Sequence, residues 1–142
     1  MKDTEKTIGN MIDKQKITYL SSLDENGFPN TRAMLSPRVR KGIHTFYFTT
    51  NTSSIKVKEF YNNPNACIYV CDNRFFRGVT LKGKVTILHD KESKALIWKP
   101  EDVMYYKKGI DDPDYSVLRF EATSGEYYSN FKVTQFEIDN KR

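Results

Sequence analysis

The spacing of apolar positions changes several times along this chain, and each change marks an element. Over residues 4–16, Ile8, Met11, Ile12 and Gln15 fall at helical spacing behind the weak start signals Thr4, Glu5 and Thr7, which predicts a short amino-terminal helix. Residues 16–23 (KITYLSSL) read as a strand, 24–29 (DENGFP) carry Asn-Gly turn chemistry, and 30–39 read as the return strand of a hairpin. Arg40-Lys41-Gly42 then turns the chain into 44–50 (HTFYFTT), where aromatic and β-branched side chains suit a pleated surface. From Ser53 or Ser54 the period becomes helical again through Ile55, Val57 or Lys58, Phe60 and Tyr61. Asn62-Asn63-Pro64 ends that helix, because proline has no N–H to give the ladder.

Two more strands are expected at 66–71 and about 75–88, with Gly78 and Gly83 as bulges or bends. Asp90 caps a helix over KESKALIW that Pro100 interrupts, and a second short helix spans 101–107 before Gly109. After the acidic turn Asp111-Asp112-Pro113-Asp114, a strand over 115–122, a turn at Ser124-Gly125 and a last strand over 127–138 complete the pattern. No repeat, linker or low-complexity tract intervenes, so residues 1–142 read as a single domain. Its class is mainly β, an antiparallel barrel with peripheral helices, since a barrel closes such a sheet without long edges.

Composition excludes several alternatives. A chain of 142 residues can bury roughly 68–70% of its unfolded surface, enough to fold without disulfides or a structural metal. Its 9 Tyr and 9 Phe argue against disorder. No stretch approaches the roughly 18 apolar residues of a membrane span. Residues 1–16 lack the apolar core of a secretory signal, so a cytoplasmic protein without a membrane partner is expected. The surplus of 23 Lys+Arg over 18 Asp+Glu is scattered among acidic residues, the pattern of a mixed solvated surface rather than of a nucleic-acid stripe. Cys67 and Cys71, four apart in the run ACIYVC, share a face about 13 Å apart at about 3.3 Å per residue, too far to bridge. They read as buried reduced thiols. His44 and His89 have no ligand spacing, and no metal site is expected.

The chemistry gathers on two segments. One carries Arg32-Ala33-Met34. The other, residues 49–56 (TTNTSSIK), is a strand end running into a helix start, where unpaired N–H groups and the helix dipole favour an anion. Thr50 and Ser54 can donate to phosphate oxygens, Lys56 supplies a point charge, and Arg32 can grip two further oxygens as a fork. A cap and a surface lysine are the alternative reading of Ser54 and Lys56, and the Gly-rich cradle of a P-loop is missing.

These residues, together with Asn63-Pro64, Trp98-Lys99-Pro100, Tyr105-Tyr106, residues 109–114 (GIDDPD) and Glu126-Tyr127-Tyr128, resemble the FMN-binding split barrels related to pyridoxamine 5′-phosphate oxidase, in particular the general-stress-protein-26-like branch. The resemblance covers nearly the whole chain. It implies an antiparallel, Greek-key-like split barrel that forms a homodimer with FMN in a cleft between subunits. On the matched positions Arg32, Ser54 and Lys56 would hold the phosphate, and Ala33, Met34, Thr49 and Thr50 would line the isoalloxazine ring. Tyr128 stands where the family usually has a tryptophan that reaches the flavin from the other subunit. Trp98 would be either an apolar anchor or a flavin contact.

The departures bear on activity. Where pyridoxamine phosphate oxidases carry an Arg-x-His for the substrate, this chain has Thr134 and Phe136; Pro37 stands where they have a lysine, and about Gly78 where they present a glutamine. The phosphate grip is kept and the substrate grip is not. The expected function is an FMN-dependent oxidoreductase on an unknown small molecule other than vitamin B6. The alternative is a non-catalytic flavin-binding carrier or sensor.

Overall fold

The computed structural model describes residues 2–138. Helix α1, Lys2–Lys14, buries Ile8, Met11 and Ile12 as their spacing predicts, and ends before Gln15. Eight strands follow: β1 Ile17–Leu23, β2 Pro29–Leu35, β3 Val39–Lys41, β4 Thr45–Asn51, β5 Asn65–Asp72, β6 Arg77–Leu88, β7 Tyr115–Ser129 and β8 Lys132–Glu137. Helix α2, Ile55–Asn62, joins β4 to β5, and α3, Lys91–Ile97, follows β6. All pairings are antiparallel, in the order β2-β1-β5-β6-β7-β4-β3, with β8 added beside β7. The mainly β class with helices in the connections is what the pattern implied.

The two longest strands form the hinge of the sheet. β7 pairs with β4 through Glu121 and with β8 from Ser124 onward, so its two halves serve different neighbours. The turn expected at Ser124-Gly125 does not exist. Gly125 lies inside β7, where a Cβ would come within 2.8 Å of Phe136 and Leu81, so the glycine permits close packing and the chain runs on. The reversal comes at Asn130-Phe131, both at positive φ, as a two-residue hairpin turn matching strand twist requires. Only Gly83 of the two β6 glycines marks a bulge: the register shifts between Lys82 and Gly83, where a side chain would strike the Glu121 carbonyl. Gly78 sits in regular strand, and the Tyr69 hydroxyl fills the space its side chain would need.

The expected 30–39 strand is two pieces, because Ser36-Pro37 breaks the ladder before β3. Asp90 caps α3 as read, accepting from the Ser93 N–H at 3.0 Å, while 101–107 forms a 3₁₀ turn over Pro100–Met104 instead of a second α-helix. Cys67 and Cys71 are unbridged and half-buried, more open than expected.

The main core fills the curled sheet with Leu20, Phe46, Phe48, Ile68, Leu81, Leu118 and Phe120 beneath α1. A smaller cluster joins Tyr47, Ile97, Tyr106, Tyr115 and Val117. Trp98 packs on Tyr115 and Tyr106, with ring centroids 5.1 and 6.3 Å away, and anchors α3 to the barrel.

Candidate functional site

β2 and β3 lie at opposite ends of the strand order, and a cavity of about 230 Å³ opens where β2 faces the β4 side of the sheet. It is lined by Ala33 and Met34 of β2, Thr49 and Thr50 of β4, Lys56 of α2, and, unforeseen as site residues, Arg38, Asn51, Tyr105 and Tyr106. Five of the residues singled out from sequence, Ala33, Met34, Thr49, Thr50 and Lys56, therefore converge on one cavity wall. Ala33 points outward and Met34 inward, as alternation along a strand demands, so they meet the cavity differently.

Arg32 and Ser54, also expected in the site, are not among the residues that line this cavity; the charge of Arg32 nevertheless acts on Lys56, which does line it. Lys56 is held below the ordinary lysine range, first by burial and then by repulsion from Arg32. Burial likewise lowers Arg32, and Glu59 opposes that shift. Lys56 makes no ion pair among the described residues. A half-buried cation beside a second one is unfavourable unless an anion joins them. Thr50 adds a second sign: the residue lines the cavity, and its hydroxyl is fully buried without a hydrogen-bond partner.

Ser54 occupies the N-cap position of α2 with extended backbone, yet its hydroxyl donates to the Asn51 carbonyl at 2.8 Å and does not cap the helix. The first-turn N–H groups are left without that cap. The loop is braced from outside. Asp114 accepts from the Asn51 side-chain amide and the Ser53 N–H, each at 2.8 Å, and its carbonyl accepts from the Thr52 N–H at 2.7 Å. The Asn51 bond, more than the burial that opposes it, holds the Asp114 carboxyl below its usual range. The acidic turn thus fixes the start of α2, a role no local spacing signals.

Tyr106 donates to Asn51 Oδ1 at 3.4 Å, and burial pushes its phenol up to about 12. Tyr105, next to it, is exposed at the rim. Tyr128 is not brought to this cavity. It lines a separate one of about 100 Å³ with Tyr69, Cys71, Gly78 and Phe76, and meets Phe76 edge-on at 5.9 Å. Phe76 holds a positive φ of 48°, uncommon for an aromatic residue. Among the described residues no group of three or more His, Cys, Asp or Glu is placed to hold a metal ion, and no helix is long and apolar enough to cross a membrane.

Residues 4–129 match the family described as pyridoxamine 5′-phosphate oxidase, and the chain belongs to that family. Among solved structures it is similar to a general stress protein 26-related protein of the pyridoxinephosphate oxidase family from Clostridium acetobutylicum, 36% identical, with a TM-score of 0.88 over 98% of this chain and 97% of that one. General stress protein 26 from Bacillus anthracis, 18% identical over 94% of this chain and 98% of that one, shares the fold at a TM-score of 0.75. The architecture is thus a split barrel of this family. A curated relative, pyridoxine/pyridoxamine 5′-phosphate oxidase of Legionella pneumophila strain Lens, is 32% identical over 76 residues, which is 54% of this chain and 34% of that protein. The chain spans only about a third of that relative's length.

Proposed function

We propose that this chain is an FMN-binding flavoprotein and an oxidoreductase acting on a small molecule other than a B6 vitamer. The observation that carries the reading is Lys56, a half-buried cation with no ion-pair partner among the described residues, on the wall of a cavity that also holds Thr50, whose buried hydroxyl has no partner. Such a site fits a ring bearing a phosphate. Arg32, Lys56 and the uncapped start of α2 at Ser54 would bind the phosphate, the first two by charge and the last by N–H groups. Ala33, Met34, Thr49 and Thr50 would lie along the ring, with Thr50 donating its unused hydroxyl hydrogen to a ring acceptor. FMN supplies the redox chemistry, while the protein supplies orientation, dielectric and access.

A homodimer belongs to the same proposal. Tyr128 lines a different cavity of its own chain, so a contact between Tyr128 and a flavin held at Lys56 would come from a second copy. The test is direct. The purified protein should show flavin absorbance or quench added FMN, and it should sediment as a dimer. A colourless protein that neither quenches FMN nor gains thermal stability from it would sink the proposal.

The non-catalytic carrier keeps one observation in its favour. Of the two positions where the family's oxidases hold substrate, Phe136 is buried in the main core and Thr134 carries no titratable group. Anaerobic reduction by NADH or NADPH, followed by reoxidation with a quinone or nitroaromatic, separates the two: turnover marks an enzyme, and its absence marks a carrier.

A further inference from the structure

Helix α2 turns a carboxylate inward where its neighbours are apolar. Glu59 is 9% exposed and lies between the buried Val57 and Phe60, while Ile55 and Tyr61, which the spacing predicts as part of the apolar face, point outward and are exposed. A buried carboxylate needs partners, and Glu59 has three. Ser22 Oγ donates to Oε1 at 2.5 Å, Asn30 Nδ2 donates to Oε2 at 2.8 Å, and Arg32 Nη2 lies 3.6 Å from Oε1. Ser22 also accepts from Arg32 Nη1 at 2.8 Å, and the Leu20 carbonyl takes a longer bond from the same nitrogen at 3.3 Å. Leu20, Ser22, Asn30 and Arg32 belong to the β1–β2 hairpin, in which Leu20 pairs with Arg32 and Ser22 with Asn30.

On these contacts, and resting on the FMN reading above, we infer that Glu59 is a positioning residue of the phosphate site. Through Ser22 it fixes the Arg32 guanidinium beside Lys56 before ligand arrives. The network occupies Nη1 and leaves the Nε–H without a hydrogen-bond partner among the described residues. A long side chain fixed in advance loses less rotamer freedom on binding.

A carboxylate beside a phosphate site repels the ligand, so if Glu59 acted only through its charge, its removal would tighten FMN binding. If it acts by placing Arg32, its removal loosens FMN binding, and only while Arg32 is present. Riboflavin, which has the same ring and no phosphate, is indifferent either way.

The experiment is a titration of FMN and of riboflavin against the wild type, Glu59→Gln, Ser22→Ala, Arg32→Ala and the Arg32→Ala/Glu59→Gln double variant, with a thermal melt of each. Glu59→Gln and Ser22→Ala should each weaken FMN roughly five- to twentyfold and leave riboflavin within about twofold. In the Arg32→Ala background, Glu59→Gln should cost less than about twofold, the coupling expected of residues acting as a unit. Unchanged or tighter FMN binding by Glu59→Gln overturns the inference, as does a full loss that persists without Arg32. Should Glu59→Gln fail to fold, Ser22→Ala decides alone: an FMN-specific loss supports the assignment, and unchanged affinity overturns it. If the wild type binds FMN no better than riboflavin, the phosphate reading itself falls and takes this inference with it. Wild-type preference for FMN with indifferent variants removes the inference only.

Discussion

Arg38 closes a two-pronged ion pair on Asp102, with Nη2 2.7 Å from Oδ1 and Nη1 2.9 Å from Oδ2, and so ties the β2–β3 connection that lines the cavity to the 3₁₀ turn after α3. Nη1 also donates to the Ile97 carbonyl, and Asp102 accepts from the Lys99 N–H. Asp102 is 2% exposed. The Arg38 bonds hold its carboxyl below the usual range, against the opposing effect of burial. Because the folded value is depressed, the stabilisation is present above the ordinary carboxylate range and is lost as pH falls through the folded value. Arg38→Ala, which strands the buried carboxylate, should cost about 3–5 kcal/mol in urea unfolding. Asp102→Asn should flatten the acid limb of the stability–pH curve; an unchanged limb would show that another carboxylate governs it.

Lys56 makes the opposite prediction. Its value is depressed by burial and by Arg32, so in the free protein it gives up its proton at lower pH than an ordinary lysine. A phosphate favours the charged form. FMN affinity should therefore be flat through neutral pH and fall as pH rises through the depressed value, by up to tenfold per pH unit. Riboflavin, titrated in parallel, isolates the phosphate's share. Lys56→Ala should lower FMN affinity by about 1.5–3 kcal/mol and abolish the alkaline fall. A fall that persists in Lys56→Ala would assign it to another group.

Thr50 gives a prediction on stability as well as on binding. Its hydroxyl is buried and unpaired, and valine has nearly its shape. Thr50→Val should raise the melting temperature of the ligand-free protein, since an unsatisfied buried hydroxyl costs about 1–3 kcal/mol. The same change should weaken both FMN and riboflavin, because the proposed contact to the ring loses its donor. A variant that loses stability would show that the hydroxyl is satisfied in solution.

His89 is assigned a tautomer by its chain of partners. Thr52 Oγ1 donates to the Pro113 carbonyl at 3.0 Å, so it must accept from Ser116, 2.5 Å away. Ser116, its hydrogen used, accepts from His89 Nδ1–H at 3.0 Å, and Nε2 is left to accept from the Tyr61 hydroxyl at 2.7 Å. Nitrogen-15 shifts of the ring at neutral to mildly alkaline pH should report Nδ1–H. An Nε2–H ring would mean that the chain of hydroxyls runs the other way.

Much of the site was legible in the residues themselves. Ala33, Met34, Thr49, Thr50 and Lys56 are carried on two strands and a helix start whose local signals are strong. Tyr105, Tyr106 and Asp114 were not assigned roles, since each reaches the site from a distant segment, and Glu59 was not, since it stands against the local period; Arg38 and Asn51 lie beside or within the segments singled out, but nothing local marks their side chains. Glu59 shows why. It stands inward on a helix face where periodicity asks for an apolar residue, and only the β1–β2 hairpin, brought against α2, supplies the polar partners that make the burial tolerable.

The sequence by itself determined the alternation of strand and helix and the helix start that carries Lys56 in its first turn, because these depend on periods of two and 3.6 and on groups within a few residues of one another. Tertiary structure decided where β7 turns back, why Gly78 and Gly125 lack side chains, which cation is held by a carboxylate, and that Tyr128 lies apart from the cavity in its own chain. Those outcomes depend on contacts between segments far apart in the chain, which no local pattern encodes.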